Sequence, residues 1–481
     1  MGADGAREKF SLFVAGLVLL DSRRRSRFGA TRSGRWERPT SGQEGAHAAV
    51  LLRFRLLTVR NPMKGTVATC ARSGVWKQLL GLRRTVVEEV DFDEIDGSLV
   101  ISVRPRAKER DRCPHCRRHC PGYDQGEGRR RWRALDLATT FCFLEADAPR
   151  VNCRRHGVVV AAVPWARHDA AFTRSFEDQT AWLTVNTSKT AVAELMRIAW
   201  RSVGWICERV AAEAQAQRDL FAGLRRLGVD EISVRKGQRY LTIVIDHDTG
   251  RLVWAHPGRD KQTVYKFLDL LGKDRCEQLQ LISCDMADWI AIPVAERCPN
   301  AEVCLDPFHV IKLSTDALDE VRRDIWNDTR KAGQPGLARE LKGARFALWM
   351  NPEQLTERHR QKLARVQQIN KDLYRAYLIA QQLRMIYRVP CDQALELLDA
   401  WLAWARRCRL APFVKLAKTI TKHRPGIEAA LLHHLSNART EQVNTQIRLI
   451  TRRGFGYHSP WAVIALAMLS LGGLCPSLPG R

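Results

Sequence analysis

The spacing of apolar positions divides the chain into stretches of different character. Residues 1 to about 62 hold no sustained helical or strand period, and patterned sequence begins only after Met63, with Val75 to Leu82 and the alternating run Leu99-Val-Ile-Ser-Val-Arg104. From about 172 to 216 the period is helical: Val192, Leu195 and Met196, a break over Ile198-Ala-Trp200, then Val203, Ile206 and Val210. Two short helices around a tight turn are predicted, the second starting near Arg201. Leu227 to about Ile292 reads as strands and one helix. A first short strand ends at Asp230, and a hairpin follows in which Tyr240-Leu-Thr-Ile-Val-Ile-Asp246 and Arg251-Leu-Val-Trp254 flank His247-Asp-Thr-Gly250. Gln262 to Leu271 reads as a helix, and Leu279 to Asp285 as a short buried strand. Between about 313 and 435 the pattern is wholly helical. Leu318, Val321 and Ile325 keep one face there, and Asn351-Pro352-Glu353 forms a cap ahead of Leu363, Val366, Ile369 and Leu373. A last helix over 437–452 buries Val443, Ile447 and Ile450, which sets Glu441, Asn444, Arg448 and Arg452 on its opposite face. No internal repeat is found.

Length and composition fit a soluble globular protein of about three folded units. Of 481 residues, 45% are apolar and 27% charged, which excludes a disordered or collagen-like chain. Lys and Arg number 78 against 52 Asp and Glu, a formal net charge of +26 that favours a polyanionic partner, nucleic acid or an acidic membrane surface. The longest apolar runs, Ser11 to Leu20 and Trp461 to Cys475, fall short of the roughly 20 residues a membrane span needs. No basic amphipathic anchor accompanies them, so no membrane partner is expected. The first run also lacks a small-residue cleavage site. Fourteen Cys are mostly scattered, which points to a reducing, cytoplasmic compartment. The Arg-rich residues 1–62 are expected to be a disordered basic extension, and Met63 is an alternative start of the native chain.

Two Cys and His clusters carry the first chemistry. Cys113-Pro-His-Cys116 and Cys153-Arg-Arg-His156 are knuckles that can each present two ligands, and together they fill the four positions of a structural Zn²⁺. His115, His119 and Cys120 compete as ligands. Arg129, Arg130 and Arg131 lie in the same Arg-dense region and would give the folded knuckle a phosphate-binding surface. The helix pair beyond it fits a helix-turn-helix whose second helix, with Arg201, faces the major groove, and Lys189 lies at the start of the first.

Three acids complete the picture. Asp230 on a first strand, Asp285 on a fourth and Glu441 on a late helix, beside Asn444, Arg448 and Arg452, are the layout of an RNase H-like nucleotidyl-transfer site. Mg²⁺ or Mn²⁺ prefers such oxygen ligands, and two ions about 4 Å apart can stabilise attacking and leaving oxygens together.

On these residues the chain resembles a known family. Gly228-Val-Asp-Glu-Ile-Ser-Val-Arg-Lys-Gly237, Asp306-Pro-Phe-His-Val310, Asn437-Ala-Arg-Thr-Glu-Gln-Val-Asn444 and Arg452-Arg-Gly-Phe-Gly-Tyr457 resemble the ISL-three group of bacterial insertion-sequence transposases. The likeness covers roughly 65 to 481. It implies a DDE transposase with Asp230, Asp285 and Glu441 as metal-binding triad and a helical insertion between the second and third acids. Asp306 and His309 look like an auxiliary Asp-x-x-His element. The expected organisation is therefore a zinc-binding domain over 63–170, a helix-turn-helix over 171–220, an α/β RNase H-like core over 221–312 and 436–481, and an all-helical insertion over 313–435. Expected partners are DNA, as transposon ends and target, and a second copy of the chain, at the nucleoid. A repressor derived from a transposase, or a nuclease that cuts without joining, would carry much of the same sequence.

Overall fold

Alternating residues between 85 and 160 build two small sheets. The computed structural model of the chain describes residues 69–235, 239–454, 457 and 459–480, and the expected basic extension lies outside them. After helix α1 (Thr69–Leu79) come β1 (Thr85–Asp93), β2 (Ser98–Pro105), β3 (Gly122–Asp124), β4 (Arg129–Arg133), β5 (Phe141–Asp147), β6 (Arg150–Cys153) and β7 (Gly157–Val160). One sheet runs β1-β2-β5-β4 and the other β3-β6-β7. Ile101, Val103, Trp132, Cys142 and Leu144 are the inward positions of the first sheet, with Trp132 set edge-on to Trp165.

Three helices follow, α2 (Arg174–Asn186), α3 (Lys189–Leu195) and α4 (Trp200–Gln217). Thr173 Oγ1 accepts from Phe176 N and Ser188 Oγ from Ala191 N, so two of the three begin on side-chain caps.

The central sheet has the order β10-β9-β8-β11-β12, from β8 (Arg226–Arg235), β9 (Arg239–Asp246), β10 (Leu252–Pro257), β11 (Leu281–Cys284) and β12 (Glu302–Leu305). The first three strands are antiparallel, while β8, β11 and β12 run parallel. Helices α5 (Lys261–Leu271), α6 (Lys273–Cys276) and α7 (Asp288–Arg297) make the crossovers. Between β12 and the last pair of helices every element is helical: α8 (Pro307–Lys331), α9 (Pro335–Gly343), α10 (Arg345–Trp349), α11 (Glu357–Ile369), α12 (Lys371–Ile386), α13 (Cys391–Arg407), α14 (Ala411–Lys422) and α15 (Arg424–His433). The chain ends in α16 (Ala438–Arg453) and α17 (Pro460–Leu471).

Alternation along the strands gives this sheet two buried faces. Leu227, Val229, Val244, Ile282 and Cys284 pack against α5, α7, α8 and the helical block beyond. Ile232, Leu241, Ile243 and Ile245 pack the other way, against Val203 and Ile206 of α4, Val443 and Ile447 of α16, and α17. The helical block and the helix pair after the Cys and His clusters therefore stand on opposite faces.

Two sequence expectations shift. Asp230 is not at a strand end: β8 runs five residues further, and Asp230 pairs with Ile243 in its middle. The continuation exists because Ile232 adds a buried side chain to the α4 and α16 face. Asn351 does not cap a long helix either. Pro352–Gln354 forms one 3₁₀ turn, Leu355 goes extended to bury its side chain, and α11 starts on Thr356, whose hydroxyl accepts from His359 N. Among the described residues no helix is long and apolar enough to cross a membrane.

Candidate functional site

Asp230 and Asp285 converge from adjacent parallel strands. Gly228, Asp230 and Ile232 share the face of β8 that α16 covers, and Asp285 follows the last residue of β11. One oxygen each of Asp230, Glu231 and Asp285 lies within 4.8 Å of the other two, and Asp285 joins Asp306 and His309 in a second such group. His309 Nδ1 is 2.8 Å from Asp306 Oδ2 and 2.9 Å from Asp285 Oδ1. These two carboxylates, Asp285 first, raise His309 to about 10. Burial, and then the charge of Asp285, pushes Asp230 up to about 7. Burial raises Glu231 as well, although Arg259 sits 2.8 Å from its Oε1. Its other oxygen, Oε2, is buried with no hydrogen-bond partner among the described residues. Three clustered carboxylates, two of them raised by burial, are an all-oxygen donor set, and an oxygen-seeking divalent cation fits it.

Helix α16 reaches this centre through close backbone approach. A side chain at Gly228 would place its Cβ against Thr440 Oγ1 and 2.9 Å from both His247 Nε2 and Ile245 Cγ1. The contact seats Asn444, whose Nδ2 donates to Asp230 Oδ2 at 2.7 Å. Asn444 is therefore buried and turned toward the acids, not displayed beside Arg448 and Arg452 as helical spacing predicts. It sits at the margin of the Val443 and Ile447 stripe, where contact with a neighbouring strand decides which way it faces. Glu441, one turn earlier, is exposed and stands outside the tight acidic group, and Arg448 and Arg452 are exposed too. Beneath the acids, His247 Nε2 lies 2.6 Å from Ser283 Oγ, Ser283 donates to Asn437 Oδ1, and Asn437 N–H donates to Asp306 Oδ1 at 3.3 Å. Burial, followed by Arg439, lowers His247 to about 4, so this network is neutral at its base. Sequence reasoning missed both Glu231 and this network. The Asp-Glu pair in Gly228-Val-Asp-Glu was the available signal for the first.

The Cys and His knuckles close on one point. Sγ of Cys113, Cys116 and Cys153 and Nδ1 of His156 form one group, with Cys113 and Cys153 each 3.5 Å from His156 Nδ1 and Cys116 3.7 Å from Cys153. A tetrahedral Zn²⁺ at ordinary bond lengths needs S···N edges of about 3.5 Å and S···S edges of about 3.8 Å. The spacing fits the ion and is far too long for a disulfide. Cys120 donates instead to Arg118 O, and the His115 ring lies tilted against that of His156, with centroids 5.0 Å apart.

The cations singled out by sequence divide. Arg201 is exposed at the start of α4, beside Trp205. Arg129 and Arg131 are exposed but held by Glu145 at 2.8 and 2.7 Å, and Arg130 donates to Ala170 O. Lys189 corrects the expectation of a DNA contact. It is 6% exposed, with Nζ 3.3 Å from the Trp200 ring centroid, because Gly204 leaves room for the ammonium between the helices.

Comparison with known proteins supports the order of these parts. A model for the zinc-finger of transposases IS204/IS1001/IS1096/IS1165 matches residues 109–156, one for the helix-turn-helix domain of transposase family ISL3 matches 161–211, and an ISL3 transposase model matches 227–466. The transposases for insertion sequence element IS1557 from two Mycobacterium tuberculosis strains, CDC 1551 and H37Rv, are each 52% identical over 431 residues, 85% of this chain and 97% of theirs. The transposase for insertion sequence element IS1001 of Bordetella parapertussis is 26% identical over 376 residues, 77% of this chain and 91% of its own. With zinc finger, helix-turn-helix and acid-bearing α/β unit in this order, the chain belongs to the ISL3 family of insertion-sequence transposases.

Proposed function

We propose that this chain is a DDE transposase which binds the terminal inverted repeats of its insertion sequence and carries out DNA strand cleavage and strand transfer. The central sheet with α16 and α17 is then an RNase H-like core (221–312 and 436–481), and 313–435 a helical insertion. The zinc-binding part (63–170), with Zn²⁺ on Cys113, Cys116, Cys153 and His156, and the helix-turn-helix (171–220) grip the repeats. Arg201 acts in the groove, and Arg129, Arg130 and Arg131 at its rim.

The observation that carries the reading is the convergence of Asp230 and Asp285 under a helix whose Asn444 bonds Asp230 and whose Glu441 stands one turn away. Asp230, Asp285 and Glu441 would hold Mg²⁺ or Mn²⁺, which when bound supply Lewis acidity at the scissile phosphate. The chain's own groups do the positioning. Asn444 fixes the Asp230 carboxylate, His309 with Asp306 fixes Asp285, and Arg448 and Arg452 take neighbouring phosphates. Cleavage frees a 3′-hydroxyl that attacks target DNA, and a homodimer would hold two ends together.

Labelled ends incubated with Mg²⁺ test this. Asp230→Ala, Asp285→Ala and Glu441→Ala should each abolish cleavage while end binding persists; cleavage surviving in Glu441→Ala would sink the triad. Joined products separate a transposase from a nuclease that only cuts, and the absence of any cleavage by the parent chain would indicate a repressor.

A further inference from the structure

The helical block carries a cationic face that no part of the mechanism above uses. Residues 401–427 contain seven Lys and Arg side chains and no Asp or Glu. Along α14, Phe413, Leu416, Ala417 and Ile420 are buried in the core, while Lys415, Lys418 and Lys422 are exposed at offsets of three and seven, which places them on one opposite stripe. Arg406 joins that stripe from α13 by donating to Thr421 Oγ1 at 2.9 Å. Among the described residues Arg406, Lys415 and Lys418 have no carboxylate within ion-pair distance, and neither do Arg407, the last residue of α13, and Arg409 in the turn that follows. Like charges at helical neighbour spacing destabilise a free helix, so the stripe calls for an external anion.

Its position says which anion. Lys422 Nζ is 3.2 Å from the carboxylate of Asp288, the first residue of α7 and three positions beyond Asp285. The Lys422 end of the stripe is thus tied to the helix that follows Asp285, and the rest of it lies along α14 in the helical block. That block and the helix-turn-helix cover opposite faces of the central sheet. Lys415 to Lys422 spans about 10 Å at 1.5 Å per residue, the axial length of about three phosphates on one strand of a duplex. A membrane anchor would add exposed apolar side chains to the cations, and α14 exposes no large ones.

We infer that Arg406, Lys415, Lys418 and Lys422 form a sequence-independent phosphate-binding face for duplex DNA on the side of the acid centre away from the helix-turn-helix. The inference rests on reading the acid centre as the point of cleavage. DNA held by its repeat on one face of the sheet then crosses the acids and continues over α14.

The test uses the full chain in EDTA, so that binding is read without cleavage, with a fluorescein-labelled duplex of arbitrary sequence. The triple variant Arg406→Gln, Lys415→Gln, Lys418→Gln should lower the slope of log affinity against log salt by about 2.7, shrinking the affinity ratio between 50 and 200 mM salt about 40-fold. An equal-charge control, Lys331→Gln, Arg339→Gln and Arg358→Gln, removes three other exposed cations of the same block and should leave the slope unchanged. If the triple variant does not fold, Lys418→Gln alone should lower the slope by about 0.9. An unchanged slope in the stripe variants, or an equal fall in the control, overturns the proposal. So does loss of binding to phosphatidylglycerol vesicles with the DNA slope intact, which would assign the face to lipid. Failure of the acid-centre reading shows separately, as cleavage that survives Asp230→Ala.

Discussion

Asp230 occupies the middle of a central strand, where water is excluded and two further carboxyls stand within reach, so its ionised form is disfavoured until a cation arrives. Its carboxyl titrates near 7 in the fold against 3.8 as an ordinary Asp. A raised carboxyl means that between those values the folded chain holds a proton the unfolded chain has lost, so stability falls as pH rises through that window, by about 1.4 kcal/mol per unit, and levels off above it. Asp230→Asn lacks this penalty. In EDTA the variant should therefore gain on the parent in urea midpoint from pH 4 to 7 and hold a constant advantage to pH 8.5. Added Mg²⁺ or Mn²⁺ should stabilise the parent alone. Parallel midpoint curves for the two proteins would mean the carboxyl is not strained by its site. Asn444 belongs to the same balance: Asn444→Ala removes the donor to Asp230 Oδ2, and cleavage should then need more Mg²⁺ and recover when it is supplied. A rate loss that no metal concentration restores would instead make Asn444 a direct substrate contact.

At the level of elements, the acids depend on how closely α16 lies on β8, and Gly228 sets that distance. Gly228→Ala adds one methyl that meets Thr440, His247 and Ile245, and overpacking of this kind costs about 1 to 3 kcal/mol. Because Thr440 and Asn444 are one turn apart, cleavage should fall more steeply than stability, while binding to transposon ends stays as it was. Equal losses of stability and cleavage would reduce Gly228 to a packing residue. This contact also marks where sequence reading stops. The hairpin after β8, the helix over 262–271, the buried strand ahead of Asp285 and the helical stretch to 435 were legible because apolar period and turn residues are properties of neighbours along the chain. Asn444 and Lys189 were misplaced because their orientation is set across elements, by Asp230 in one case and by Trp200 with Gly204 in the other. Glu231 was passed over since adjacent strand residues point to opposite faces, yet its longer side chain still reaches the group. The zinc-type cluster was readable almost whole, because two knuckles fix their ligands locally and leave only one pairing to tertiary structure.

Across the molecule, the zinc-type unit and the helix-turn-helix are joined by a buried ionic network. Arg167, 8% exposed, follows the small sheets and donates to Glu177 and Asp178 of α2 and to Glu213 of α4, at 3.1, 2.6 and 2.7 Å. Glu177 is fully buried and also accepts from Arg209, and Arg174 holds Glu213. One guanidinium thus fixes the zinc-type unit to two helices at once, its planar fork aiming Nε, Nη1 and Nη2 at three different carboxylates, an arrangement that Lys cannot supply. Removing one partner from such a network leaves a buried charge uncompensated, at a cost of about 3 to 5 kcal/mol. Arg167→Ala should lower the melting temperature sharply, and Arg167→Lys should recover only part of it. Cys153→Ser or chelation of the cluster should differ in kind: protection from proteolysis is lost over 109–160 while α5 to α17 keep theirs, and end binding fails before the core unfolds. Combining the two changes decides whether the parts are coupled. If Arg167 transmits order from the metal cluster to the helix-turn-helix, the end-binding loss in the double variant Arg167→Ala, Cys153→Ser should be smaller than the summed free-energy losses of the single variants, since each already releases the same docking. Strict additivity would mean that the finger and the helix pair bind DNA as independent modules that merely share a linker.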